Sequence, residues 1–279
     1  MKARKRFGQH FLEPAWVNKL VLALGAKPDE AFLEIGPGRG AITRPLALQC
    51  EKLLAVEVDR DLAADLEADK PDNVTVVVGD VLRVDLTPSV TAWLGAPPGP
   101  ANQFRIVGNL PYNISSPILF TLLEFAATTG GVRDATLMLQ KEVADRLVAR
   151  VGTGEYGVLT VLTGLHADVA RVLSLPPGAF RPPPKVHSAV VRLSFRPPTV
   201  DLANPDAFVR MVRSVFTQRR KTIGNALKGF AAEAGRPAPE ALRVAGIDPQ
   251  RRPETLELAE FAALSNALYP PESRRDEGG

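Results

Sequence analysis

Four consecutive residues, Asn109-Leu110-Pro111-Tyr112, hold the densest chemistry in this 279-residue chain. They follow an apolar run, Phe104-Arg105-Ile106-Val107-Gly108, that reads as a buried strand. A strand ending in Asn, a Pro that stiffens the turn and an aromatic ring can together serve one planar amine. The Asn gives an amide oxygen, the turn a backbone carbonyl and the ring a stacking face. The exocyclic amino group of a nucleobase is such an amine.

A second cluster, Glu34-Ile35-Gly36-Pro37-Gly38-Arg39-Gly40-Ala41, sits at a strand-to-helix turn, where glycines let the backbone approach a ligand. Gly36, Gly38 and Ala41 also satisfy the dinucleotide fingerprint, and Glu57 ends the next strand, where an NAD enzyme holds its ribose. A plain tight turn gives the same pattern. Three details favour S-adenosylmethionine over NAD. Glu34, ahead of the glycines, suits a cationic cofactor better than a pyrophosphate. Gly79-Asp80 ends a third strand and offers a side-chain acceptor beside a backbone N–H for an adenine edge. The chain has no obvious hydride-transfer site, whereas Asn109 to Tyr112 supplies a methyl acceptor site. All four features fall at the carboxyl ends of successive strands, where open α/β sheets bind ligands.

The elements that must position these residues alternate. Strands are predicted over 31–35, 52–58, 74–78, 104–107 and 135–139, with helices over 41–48, 62–69 and 118–126. Ser116 and Pro117 are expected to cap the last of these helices, and 87–103 reads as a Pro/Gly-rich loop. Two late strands, 169–173 and 186–195, have no long helix between them and should pair antiparallel. The pattern is α/β, a doubly wound, mostly parallel sheet. Beyond Arg196-Pro197-Pro198 the apolar spacing turns helical, through Phe208, Val212, Val215 and Phe216 and later Leu258, Phe261, Leu264 and Leu268. Domains are therefore expected at 1–197 and 198–270, with a charged, disordered tail at 271–279.

Net charge is only +3, but it is unevenly placed. Lys2, Arg4, Lys5 and Arg6 crowd the start. Between Arg210 and Arg252 ten Lys or Arg face three acids, Glu233, Glu240 and Asp248. Clustered positive charge suits a polyanion such as RNA, although a solvated helix face has the same composition. The single cysteine, Cys50, excludes an internal disulfide and a cysteine-based metal site. No apolar run approaches the ~18 residues of a membrane span. With no signal peptide in view, a cytoplasmic location is expected.

Beyond these readings, the chain resembles the ribosomal RNA adenine N6-dimethyltransferases. The resemblance lies in Glu34-Ile35-Gly36-Pro37-Gly38, Val56-Glu57-Val58-Asp59, Gly79-Asp80-Val81-Leu82 and Asn109-Leu110-Pro111-Tyr112-Asn113-Ile114-Ser115. It extends to Arg6-Phe7-Gly8-Gln9-His10-Phe11-Leu12 and to Phe180-Arg181-Pro182-Pro183-Pro184-Lys185-Val186-His187-Ser188. Phe216-Thr217-Gln218-Arg219-Arg220-Lys221-Thr222 and the stretch from Gly246 to Leu256 look like the helical domain of the bacterial small-subunit branch.

That branch dimethylates two adjacent adenosines near the 3′ end of 16S rRNA during small-subunit assembly. The resemblance implies a seven-stranded Rossmann-like methyltransferase sheet, S-adenosylmethionine as cofactor, no metal, and a monomer acting on 16S rRNA in an assembly intermediate. It implies a cofactor pocket of His10, Leu12, Gly36, Gly38, Glu57, Asp80, Val81 and Asn109. Asn109, Leu110, Pro111 and Tyr112 would hold the target adenine, Phe180 would close its other face, and Arg219, Arg220 and Lys221 would grip RNA phosphates. A 23S rRNA adenine target and a non-catalytic RNA-binding assembly factor are the competing readings.

Overall fold

The structure, a computed structural model, describes residues 10–270. The basic cluster Lys2 to Arg6, the motif residues Arg6 to Gln9 and the tail 271–279 lie outside the described residues.

The chain runs β1 (Phe11–Leu12), α1 (Pro14–Leu24), β2 (Ala31–Ile35), α2 (Thr43–Ala47), β3 (Lys52–Glu57), α3 (Arg60–Asp69), β4 (Val74–Val78) and α4 (Leu86–Leu94). It continues through β5 (Phe104–Asn109), α5 (Ser115–Thr129), β6 (Val132–Gln140), α6 (Lys141–Leu147), α7 (Val158–His166), β7 (Ala167–Leu175), β8 (Phe180–Arg181) and β9 (Ser188–Phe195). Five helices follow: α8 (Pro205–Thr217), α9 (Ile223–Ala226), α10 (Lys228–Glu233), α11 (Ala238–Val244) and α12 (Leu258–Leu268).

Seven strands form one sheet in the order β4-β3-β2-β5-β6-β9-β7. The neighbours from β4 to β6 are parallel, and β9 runs antiparallel to both β6 and β7. Every residue of β2 is buried, as a central parallel strand covered on both faces requires. Strand order reverses between β2 and β5, so the crevice of this doubly wound sheet opens at their carboxyl ends. A separate two-stranded piece pairs β1 antiparallel with β8, Leu12 opposite Phe180.

At the amino end of β5 lies a buried ionic network. Arg105 is 4% exposed. Its Nε donates to both Asp134 oxygens at 3.0 and 2.9 Å, its Nη1 to Glu30 at 3.0 Å and its Nη2 to the Leu24 carbonyl at 2.9 Å. Arg133 donates to the other Glu30 oxygen at 2.6 Å. Burial pushes the Glu30 carboxyl up, but the hydrogen bonds from Arg133 and Arg105 outweigh it and hold the group below its ordinary range.

Two local expectations need correction. The stretch 87–103 is not all loop: α4 begins behind Asp85, whose side chain accepts from Thr87 N, and ends at Gly95. Its Pro88 sits in the first turn, where a missing N–H costs nothing. Likewise α5 starts at Ser115 rather than beyond Ser116, and Pro117 lies within its first turn.

The described chain divides into two compact units. One holds the sheet, through Ala144 and again over Ala167–Arg196; the other holds Asp145–His166 and the residues from Pro197 onward. The second unit resumes at Pro197. The segment 145–166, assigned by sequence to the first domain, clusters with the helices instead. The apolar face of α7 packs against α8 and α12 within the second unit, and Tyr156 donates to the Leu256 carbonyl at 2.8 Å. The helical unit buries Phe208, Val212, Val215, Phe261, Leu264 and Leu268. Its α8 is capped by Asn204, accepting from Ala207 N, and α12 by a reciprocal Glu257–Glu260 capping box.

Candidate active site

A cleft in the first unit is lined by the carboxyl ends of β2, β3 and β5, the turns after them and after β4, and the β1 arm. It holds about 1180 Å³ of non-protein space, open solvent included. His10, Leu12, Gly36, Gly38, Glu57, Asp80, Val81, Asn109, Leu110, Pro111 and Tyr112 all line it.

The turn after β2 works because Gly36 and Gly38 hold φ of +67° and +57°, conformations that side chains resist. The Gly38 N–H donates to Glu57 Oε2 at 2.9 Å, and Asp59 N donates to Oε1 at 2.9 Å. Each Glu57 oxygen therefore keeps lone-pair capacity facing the cleft, which suits a vicinal diol. Burial raises the Glu57 carboxyl despite these backbone hydrogen bonds. Asp80 Oδ1 accepts from Leu82 N at 3.0 Å. The next N–H, that of Val81, donates to nothing among the described residues. An acceptor beside a free donor matches the edge of an adenine ring.

Glu34 is 1% exposed and accepts from Thr43 Oγ1 at 2.6 Å. Burial lifts its carboxyl from 4.5 to about 7, with the Thr43 bond opposing and Glu57 adding. A buried acid that is half-protonated near neutrality is stabilised by a cationic ligand. The folded state binds this proton more tightly than the unfolded chain. Its contribution is therefore complete below about pH 4.5 and lost as pH rises through about 7. Glu34→Gln removes the penalty. The unfolding free-energy gap in favour of the variant is expected to widen by roughly 3 kcal/mol from pH 4.5 to pH 8. Urea titrations at the two pH values measure it; a gap independent of pH would contradict the assignment.

The acceptor half is built by β5 and its turn. Asn109 Nδ2 donates to the His10 carbonyl at 3.0 Å, which fixes the amide so that Oδ1 is the remaining group. Leu110 N donates to the Met138 carbonyl at 3.2 Å. Among the described residues neither Asn109 Oδ1 nor the Leu110 carbonyl accepts a hydrogen bond. Two unpaired acceptors on adjacent residues in a cleft call for a ligand with donors. Tyr112 stands beside them. Its ring stacks on His10 at 5.6 Å and 24°, and its hydroxyl meets Ser188 Oγ at 2.5 Å.

The structure separates three sequence expectations. His10 lines the cleft, with its ring stacked on Tyr112 and its Nδ1 at 2.8 Å from the Pro182 carbonyl. Phe180 does not line the cleft. It is 2% exposed, packed in the cluster with Leu12, Val17 and Leu20 beneath the β1–β8 pair, where its apolar ring gains more from burial than from an open face. In the helical unit the run Arg219-Arg220-Lys221 is split. Arg219 donates to the Thr153 carbonyl at 3.1 Å and lies 3.8 Å from Glu254, while the exposed Arg220 and Lys221 side chains pair with nothing described. Thr43 lies outside every sequence motif, and Phe11 and Ser188 stand inside motifs without a role of their own. A hydroxyl or a phenyl ring carries no pattern that marks it as supporting a site.

Among the described residues no group of three or more His, Cys, Asp or Glu could hold a metal ion, and no helix is long and apolar enough to cross a membrane.

Comparison with known proteins agrees with this geometry. The family model described as Ribosomal RNA adenine dimethylase matches residues 1–268. The chain is 45% identical over 273 residues to Ribosomal RNA small subunit methyltransferase A of Acinetobacter baylyi, covering 96% of this chain and 93% of the relative. It is 46% identical over 270 residues to the protein of the same name from Aromatoleum aromaticum, covering 96% and 94%. Among solved structures, the 23S rRNA methyltransferase ErmE aligns with a TM-score of 0.62 at 27% identity, covering 93% of this chain and 99% of that one. A dimethyladenosine transferase from Plasmodium falciparum shares the fold, with a TM-score of 0.74 at 24% identity over 91% and 96% of the two chains. With its glycine turn, strand-end acids and Asn109–Tyr112 turn gathered in one cleft, the chain belongs to the ribosomal RNA adenine dimethylase family.

Proposed function

We propose that this protein transfers methyl groups from S-adenosylmethionine to N6 of two adjacent adenosines near the 3′ end of 16S rRNA, during small-subunit assembly in the cytoplasm. The observation that carries the reading is the pair of unpaired acceptors, Asn109 Oδ1 and the Leu110 carbonyl, beside the Tyr112 ring in the family's cleft. The small-subunit target is supported by the 45% identity to relatives named for it, against 27% to ErmE.

The residues present fit the cofactor. Glu57 would hold the ribose hydroxyls, Asp80 and the Val81 N–H the adenine edge, and Glu34 would favour the cationic end. S-adenosylmethionine supplies an electrophilic methyl group on a sulfonium. The remaining work belongs to the chain. An adenine N6 lone pair is delocalised into the ring, so the amine is a poor nucleophile. Asn109 Oδ1 and the Leu110 carbonyl each accept one N6–H, hold the nitrogen and draw it toward a tetrahedral geometry. Tyr112 offers its face to the base, a contact of roughly 1–3 kcal/mol. Pro111 keeps the turn that spaces these groups rigid. No residue need act as a general base, because the methylated N6 is acidic enough to release its proton to water. Catalysis rests on orientation, and the target base must leave its stack to reach the cleft.

The helical unit would grip RNA, with the exposed Arg220 and Lys221 among the cations that contact it. Replacing both by alanine is expected to raise KM for unmethylated small subunits and to flatten the salt dependence of binding by about two phosphate contacts, with kcat unchanged. Filter binding across a salt series measures the slope. Arg219→Ala should instead lower the melting temperature, through its lost bond to Thr153. The direct test of the whole reading is the mass of 16S rRNA 3′ fragments after incubation with the protein, as a monomer, and cofactor. Fragments with no added methyl groups would refute it.

A further inference from the structure

Ser188 is the first residue of β9, 1% exposed, and held from both sides by its neighbours Gln140 on β6 and Leu175 on β7. It does not line the cleft. Its hydroxyl nonetheless reaches the Tyr112 hydroxyl at 2.5 Å, one of three restraints on that residue. The His10 ring covers one side of the tyrosine, and the Tyr112 carbonyl accepts from Ser115 Oγ at 3.3 Å. The sheet that fixes Ser188 also carries Asn109 at the end of β5. The Ser188–Tyr112 bond therefore sets the ring relative to the two amine acceptors.

We propose that Ser188 is a positioning residue of the acceptor site, holding the Tyr112 ring in the plane on which the target base stacks, and that the second methyl transfer depends on it most. The proposal rests on the reading above. In the first transfer the amine donates two hydrogens, one to Asn109 Oδ1 and one to the Leu110 carbonyl. After it only one N6–H remains, so one acceptor is lost as a restraint and the stack bears a larger share of the orientation. A ring free to rock should hurt the monomethylated base more than the unmodified one.

The test is nucleoside mass spectrometry on unmethylated small subunits after incubation with S-adenosylmethionine, alongside melting temperatures. Ser188→Ala is expected to raise the ratio of N6-monomethyladenosine to N6,N6-dimethyladenosine by about 3- to 10-fold, the effect of one net hydrogen bond. Ser188→Thr, which keeps the hydroxyl, should restore the ratio. Tyr112→Phe removes the same bond from the other side, and the double variant should be no worse than either single change. If Ser188→Ala melts below the assay temperature, Tyr112→Phe decides alone. An unmoved ratio in the folded variants, or additive effects in the double variant, overturns the positioning role while the methyltransferase reading stands. Wild-type protein that forms neither product overturns both.

Discussion

Asn109→Ala is expected to lower methyl transfer by about two to three orders of magnitude, the scale set by removing one oriented polar group from a reaction centre. The Asn109 side chain does two things at once. Nδ2 is spent on the His10 carbonyl, and Oδ1 is left for the ligand. Alanine removes the acceptor and the link to the β1 arm together. Asn109→Asp separates them: it keeps acceptor oxygens but sets a carboxylate against the His10 carbonyl, so activity should fall between wild type and alanine. Single-turnover rates with saturating cofactor measure the loss, and a cofactor titration runs beside it. Asn109 lines the same cleft as Glu57 and Asp80 but would act on the amine, so cofactor affinity is expected to drop far less than turnover. Equal losses in both would make it a cofactor ligand and not an acceptor residue.

Arg105→Ala carries the largest expected cost in stability. It leaves the Glu30 and Asp134 carboxylates buried with Arg133 as their remaining guanidinium partner. Breaking a buried pair from one side costs about 3–5 kcal/mol, mostly the penalty of the stranded charge. In a unit of this size that lowers the melting temperature by roughly 10 °C. Neutralising the carboxylates as well, with Glu30→Gln and Asp134→Asn beside Arg105→Met, should recover much of the loss. Scanning calorimetry of the three proteins gives the comparison, and an Arg105→Ala variant that melts like wild type would contradict it. Arg105 lies four residues before Asn109, ~13 Å along the strand. Below its melting temperature Arg105→Ala should therefore methylate at close to the wild-type rate.

The strands that carry the site were legible in the sequence, because a parallel central strand must be apolar along its whole length. Val74–Val78 was bounded correctly from its β-branched run and the following Gly79-Asp80. Glycines at positive φ and acids at strand ends were legible for the same reason: few other residues can stand there. Helices were harder. Within 87–103 the run of Pro and Gly masked α4, and the composition of 145–166 gave no sign that its apolar face belongs with α8 and α12. A helix's partner is chosen by which apolar stripe lies opposite, and that is a property of the packed chain.

By itself, then, the sequence determined the residue types of the site, their order along successive strands and the chemistry they can offer a cofactor and an amine. Only the tertiary structure decided which of them meet. It stacked the His10 ring on Tyr112 and joined its carbonyl to Asn109, sank Phe180 into the core, tied Arg219 to its own unit and brought Ser188, 76 residues away, to the Tyr112 hydroxyl. The physical reason is range. Backbone conformation and apolar periodicity are local and can be read from neighbours in sequence. Hydrogen bonds and burial are decided within a few ångströms in space, between segments whose separation along the chain carries no record of the contact.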